Sequence, residues 1–186
     1  MVTLWKRMSR ARAVLGRFVP TRDQRTNLVH LAADVACDLT LLEAVLDELP
    51  QMSATEALLA ARWALDLIDG RPFDAPGYDW AHEQQEHARA CDAVETLARQ
   101  TVDLALAADD LGLARYAVEQ GLRALPLNEP LYRARMSLEA QAGNLTGVKQ
   151  AYNELTQLLA DVGGDDFQFG PSTRTTNLFN DLVGAQ

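Results

Sequence analysis

Two stretches of the chain, DLGLARYAVEQ beginning at Asp110 and NLTGVKQAYNE beginning at Asn144, superimpose at an offset of 34 residues. The offset sets Leu111 on Leu145, Ala114 on Val148 and Ala117 on Ala151, and each stretch opens on a residue type that caps helices. A helical pair of this length cannot bury its apolar face alone, so copies at a fixed spacing must stack on one another. The spacing predicts a first helix ending near Ala108 paired with a second ending near Leu125, and a first helix from about Pro130 to Ala142 paired with a second ending near Leu159. Small residues at Ala117, Gly121 and Ala151 let these helices approach closely.

Thirty-four residues is the tetratricopeptide period, and composition agrees with a helical-repeat core. Hydrophobic residues make up 48% of the 186, but aromatics only 6%, while Ala and Leu recur throughout, so an all-α fold is expected. Other helix ends are legible. Ser53 and Glu56 have capping-box spacing, and the helix they start runs through Trp63 to Asp69, where Gly70 and Pro72 stop it. FDAPGYD is a loop, after which Asp79 is expected to cap one long helix through WAHEQQEHARACDAVETLARQTVDLALAAD. Asn128 caps a further helix, and TRTTNLFNDL forms a short last one. Between Gly16 and Cys37 the polar centre flanked by apolar and β-branched residues predicts a small β-hairpin, followed by a helix over about Leu39 to Leu49 with Thr40 and Glu43 as a second capping box.

Charge is unevenly distributed. Up to Arg25 seven Lys and Arg residues face Asp23 alone, a balance of +6, so the net −9 of the whole leaves −15 for the remainder. An acidic body repels nucleic acid and anionic membrane, and any anionic partner of that kind is expected at the N-terminus. No apolar run approaches the ~20 residues needed to span a bilayer. The N-terminal apolar residues are interrupted by Arg and Lys, unlike a secretory signal. Cys37 and Cys91 are too few for a disulfide framework and read as reduced thiols of a cytoplasmic protein.

Motifs that carry catalysis do not appear. There is no GxxxxGK[ST], GxGxxG or GxSxG, and neither a cofactor nor an enzymatic activity is expected. HEQQEH resembles a zinc motif only until its spacing is counted: His82 and His87 are five apart, about 140° around a helix, and no metal site is expected. Binding is the better-supported chemistry. Arg133, Ser137 and Gln141 form an i, i+4, i+8 polar stripe on a first helix, and a shift of 34 residues sets Arg99 and Asp103 at the first two of these positions in the preceding repeat. First helices of stacked pairs line a concave surface that can hold a peptide. The opening TLWKRMSRARAVLG is amphipathic: Leu4, Met8, Ala11 and Leu15 share one face with Val14 beside them, and Lys6, Ser9, Arg10 and Ala13 share the other, flanked by Trp5 and Arg12. Such a helix can enter a major groove, where Arg reads guanine edges and Lys or Arg meets phosphate.

The order of segments carries a resemblance. TLWKRMSRARAVLG, a hairpin and then VACDLTLLEAVL resemble the recognition helix, wing and domain junction of an OmpR-type winged helix-turn-helix. ALLAARWALDLIDGRPF, YDWAHEQQEHA, ALPLNEPLYRARMSLEAQAGN, VKQAYNELTQLLAD and GPSTRTTNLFNDL resemble the bacterial transcriptional activator domain of SARP-type regulators. The matching pieces are Trp63 with Gly70 and Pro72, Trp80 with Glu83, Pro126 and Leu127 with Glu129, Gly143, Ala151 with Tyr152, and Pro171 and Ser172 with Thr175 and Leu178. The resemblance implies a partial winged helix over 1–37, and a tetratricopeptide-like activator domain over 38–186. It implies transcription regulation of the actinobacterial kind, with Lys6, Ser9, Arg10 and Arg12 facing DNA and Arg22 and Arg25 at the wing. The implied partners are transcription machinery, the chain's own DNA reader or further copies of the chain, with DNA contacted in a longer protein. A stand-alone interaction module using Arg99, Asp103, Arg133, Ser137 and Gln141 is the alternative.

Overall fold

A computed structural model describes residues 35–163 and 169–184, with positions 13, 14, 16, 25 and 32 beside them. The described residues form α1 (Asp38–Glu48), a 3-10 turn (Leu49–Gln51), α2 (Ala54–Asp66), α3 (Asp79–Glu83), α4 (Glu86–Ala107), α5 (Leu111–Ala124), α6 (Glu129–Gln141), α7 (Leu145–Gly163) and α8 (Thr173–Gly184). The fold is all-α, with no strand among the described residues. The hairpin expected between Gly16 and Cys37 falls almost wholly outside them. The chain divides into two compact units, Met1–Thr40 and Leu41–Gln186, and every helix after α1 belongs to the second. Among the described residues no helix is long and apolar enough to cross a membrane.

Capping chemistry sets most of the boundaries. Ser53 Oγ accepts from the Glu56 amide at 3.4 Å while the Ser53 amide donates to Glu56 Oε2 at 3.1 Å, the reciprocal box that starts α2. This helix stops at Asp66, shorter than expected. The Asp110 carboxylate accepts from Leu113 N at 2.9 Å, Asn128 from Leu131 N at 3.0 Å and Asn144 from Gly147 N at 3.0 Å. The box expected from Thr40 and Glu43 does not form. Asp38 Oδ1 accepts from Leu39 N at 2.8 Å two residues earlier, and Glu43 is drawn to the Arg89 guanidinium instead. Two charged bonds from one guanidinium outcompete a single bond from a backbone amide.

The 34-residue offset extends beyond the caps. Asp109 at φ +57° and Gly143 at φ +70° stand one period apart, as do the backbone bonds Asp110 N to Ala105 O and Asn144 N to Glu139 O, both 2.8 Å. These are helix-ending turns closed by a left-handed residue. Burial follows the same spacing: Leu97 and Leu131, Val102 and Met136, Ala114 and Val148, Ala117 and Ala151 are all buried. Helix α4 packs on α5 and α6 on α7, and α5 and α6 join the two pairs. Gly121 makes the join tight, because a Cβ there would lie 2.9 Å from the Ala98 Cβ and 2.7 Å from Leu131 Cδ1. Each fully buried Leu, Val or Met contributes roughly 1.5–3 kcal/mol.

The long helix expected from Asp79 is broken. It ends as α3 at Glu83, Gln85 turns left-handed at φ +64°, and α4 begins at Glu86. Ala81 and Ala90 are both buried. Nine residues at 100° each would put them on opposite faces of a continuous helix, so the break re-phases the chain and lets both reach the core. It also overturns the separation expected for the histidines: the His82 and His87 rings stack with centroids 4.2 Å apart.

The second pair carries the last helix. Tyr132, Met136, Val148, Ala151 and Leu155 form a buried cluster against which Leu178, Phe179 and Leu182 of α8 pack. Tyr152 and Phe179 stack at 4.1 Å. A polar lock sets the register of α8. Glu129 accepts from Ser172 N at 3.1 Å and from the Ser172 and Thr175 hydroxyls, and Thr175 is fully buried. Burial pushes the Glu129 carboxyl upward, but bonds from Ser172 and Thr175, helped by Arg133, outweigh it and leave the group below its ordinary value.

Candidate functional site

Three helices each contribute residues four apart to one groove: Arg99 and Asp103 from α4, Arg133 and Ser137 from α6, Arg174 and Leu178 from α8. Gln141 continues the α6 row, and Val102, Leu106 and Pro130 supply apolar wall. The groove has a volume of about 410 Å³. All five residues that the sequence marks for protein contact therefore meet in one place. The 34-residue sequence offset sets Arg99 on Arg133 and Asp103 on Ser137, so these four fall at matching positions of α4 and α6.

Their roles differ. Arg99 is mostly exposed, and its hold on Glu95 is long at 3.5 Å, while Glu95 also accepts from Asn128 Nδ2 at 2.7 Å. Asp103 and Gln141 are exposed, and Ser137 is half-buried. Arg133 is tied into the fold more than its neighbours in the stripe. Its side chain is only 17% exposed, donates to Thr175 Oγ1 at 2.9 Å and lies 3.8 Å from Glu129, so it belongs to the lock that holds α8. Burial lowers the Arg133 pKa most, and Arg174 lowers it further, with Glu129 opposing and Arg99 adding to the depression. Three guanidinium groups thus share the groove.

Arg174 and Leu178 were not marked by the sequence as lining a binding surface. They lie outside the repeated stretches, so the 34-residue offset does not point to them. The Glu129 lock, together with the packing of Leu178, Phe179 and Leu182 on the buried cluster, brings α8 beside α6 and completes the wall. Chemically the groove offers guanidinium, hydroxyl and amide groups over half-buried apolar carbons, which suits binding of an extended segment.

The other candidates are placed unevenly. Lys6, Ser9, Arg10, Arg12 and Arg22 lie outside the described residues, while Arg25 is exposed in a turn. Val14, expected at the edge of the buried face of the N-terminal helix, is 84% exposed. His87 and Cys91 approach to 3.8 Å, and burial raises the Cys91 thiol first, with Asp92 adding to it. Among the described residues no group of three His, Cys, Asp or Glu side chains could hold a metal ion. Trp63 and Trp80 are both close to half exposed, and Trp80 packs edge-on against Phe73 at 5.7 Å. No protein-family model, curated protein or solved structure matches the chain.

Proposed function

We propose that Leu41–Gln186 is the protein-contacting regulatory domain of a bacterial transcriptional activator, built on tetratricopeptide-like repeats and working by binding rather than catalysis. The observation that carries the reading is the groove. Arg99, Asp103, Arg133, Ser137 and Gln141, picked from a repeat spacing alone, line one cavity across both repeats. The ordered set of activator-domain sequence pieces from Trp63 to Leu178 supports the regulatory assignment, and the +6 balance of the first 25 residues supports DNA contact in a longer protein.

The test is transcription from a reporter in bacteria, with the chain fused to a heterologous DNA-binding domain whose operator lies upstream of the promoter. The fusion is expected to raise reporter output several-fold, and Gln141→Trp, which fills the groove from an exposed helical position, is expected to return it to background without lowering Tm. An active Gln141→Trp fusion removes the groove from the mechanism, and a wild-type fusion at background removes transcription activation. The second outcome would leave the stand-alone interaction module. That reading is favoured by one observation, that every lining residue of the groove belongs to Leu41–Gln186.

A further inference from the structure

The groove is positively charged in a chain that is not. Residues after Arg25 carry a balance of −15, yet Arg99, Arg133 and Arg174 line this cavity and Asp103 is its one lining carboxylate among the described residues. Arg133 is engaged by Thr175 and Glu129. The other two cations are poorly neutralised: Arg99 is 61% exposed with a 3.5 Å contact to Glu95, and Arg174 is exposed and makes no ion pair among the described residues. Guanidinium groups lining one groove repel one another, a cost that bound carboxylates reduce. Leu106, Pro130 and Leu178 are half-buried beside them and leave apolar surface uncovered.

We propose that the groove receives an extended acidic peptide segment of a partner protein, with carboxylates on Arg99 and Arg174 and intervening apolar side chains on Leu106, Pro130 and Leu178. The proposal rests on the protein-contact reading above and adds the chemistry of the partner. Asp103, one turn along α4 from Arg99, repels a carboxylate placed next to it. A nucleic-acid backbone fits less well, because its charge is continuous and it would meet Asp103.

The test uses the full chain and a fluorescein-labelled peptide of alternating Glu and Leu, read by fluorescence anisotropy, with the Gln–Leu peptide as its uncharged match. The Glu peptide is expected to bind about tenfold more tightly, with affinity falling as salt rises. Arg174→Gln and Arg99→Gln each remove an exposed guanidinium and are expected to weaken binding by roughly three- to tenfold at unchanged Tm. Asp103→Asn is expected to strengthen it, and Lys149→Gln, outside the groove, to leave it unchanged. Equal binding of the two peptides overturns the proposal, as does insensitivity to both arginine substitutions. Displacement of the peptide by a short oligothymidylate at equal concentration overturns it in favour of phosphate recognition. If the peptide fails while the Gln141→Trp reporter result holds, the ligand chemistry falls and the protein-contact reading stands.

Discussion

Asp109 and Gly143 close equivalent helix ends, but the two residues carry different strain. Both backbones are left-handed, at φ +57° and +70°, a conformation that a Cβ disfavours by about 1 kcal/mol and Asp tolerates better than most residues. Asp109→Gly is therefore expected to raise stability by up to about 1 kcal/mol, read as a higher urea midpoint at constant slope; a lower midpoint would mean that the Asp109 side chain has a stabilising role. Glu139 gives the opposite case of a side chain that the fold needs. It is 8% exposed, accepts from Arg115 Nε at 2.9 Å and Asn144 Nδ2 at 2.6 Å, and is held below its ordinary carboxyl value chiefly by the Arg115 bond, against burial. A depressed carboxyl stabilises above its unfolded-state value and loses that contribution as pH falls through its folded value. Glu139→Gln should lower the urea midpoint at pH 7, with the gap to wild type closing below about pH 4. A gap that persists in acid would mean the carboxylate charge is not what stabilises. At this scale the N-caps at Asp110, Asn128 and Asn144 were legible, since the bond runs only three residues along the chain. The role of Arg133 was not, because Thr175 lies 42 residues away.

Helix packing among α4, α5 and α6 depends on a few small residues. Gly121 stands in α5 where the helix meets both α4 and α6, and an added methyl would overlap the Ala98 Cβ, which cannot turn aside. Glycine in a helix normally costs about 1 kcal/mol relative to alanine, so Gly→Ala alone would stabilise. Here overpacking at roughly 1–3 kcal/mol should win, and Gly121→Ala is expected to lower Tm by several degrees. A raised Tm would show that α5 can move away from Ala98 at little cost. Gly121 was legible from the sequence as a close-approach position, because helices stacked at a fixed period need small residues where they cross. The break at Gln85 was not. Local residues in HEQQEH are ordinary helix formers, and the turn is decided by the need of Ala81 and Ala90 to reach one core. Helix α8 is similar. Its sequence predicts a short helix, and its position comes from the bonds of Glu129 to Ser172 and Thr175 and from the packing of Leu178, Phe179 and Leu182.

At the scale of the molecule the governing feature is the separation of charge, +6 over the first 25 residues and −15 over the rest. If the cationic segment contacts DNA, log affinity for duplex DNA should fall with log salt at a slope of about −0.9 per phosphate contacted, and Arg10→Ala should make the slope shallower by about one contact. A salt-independent or undetectable interaction would leave DNA contact to other parts of a longer protein. The helical class, most of the helix starts, the 34-residue offset and five residues of one groove are legible in the chain before it folds. Each of these depends on contacts within a few residues or on periodic placement of apolar and small side chains. The break between α3 and α4, the docking of α8, the structural use of Arg133 and the place of Arg174 in the groove come from folding alone. Those features arise from side chains far apart in the chain competing for one core or one hydrogen-bond partner, and no local pattern in the sequence encodes the outcome of that competition.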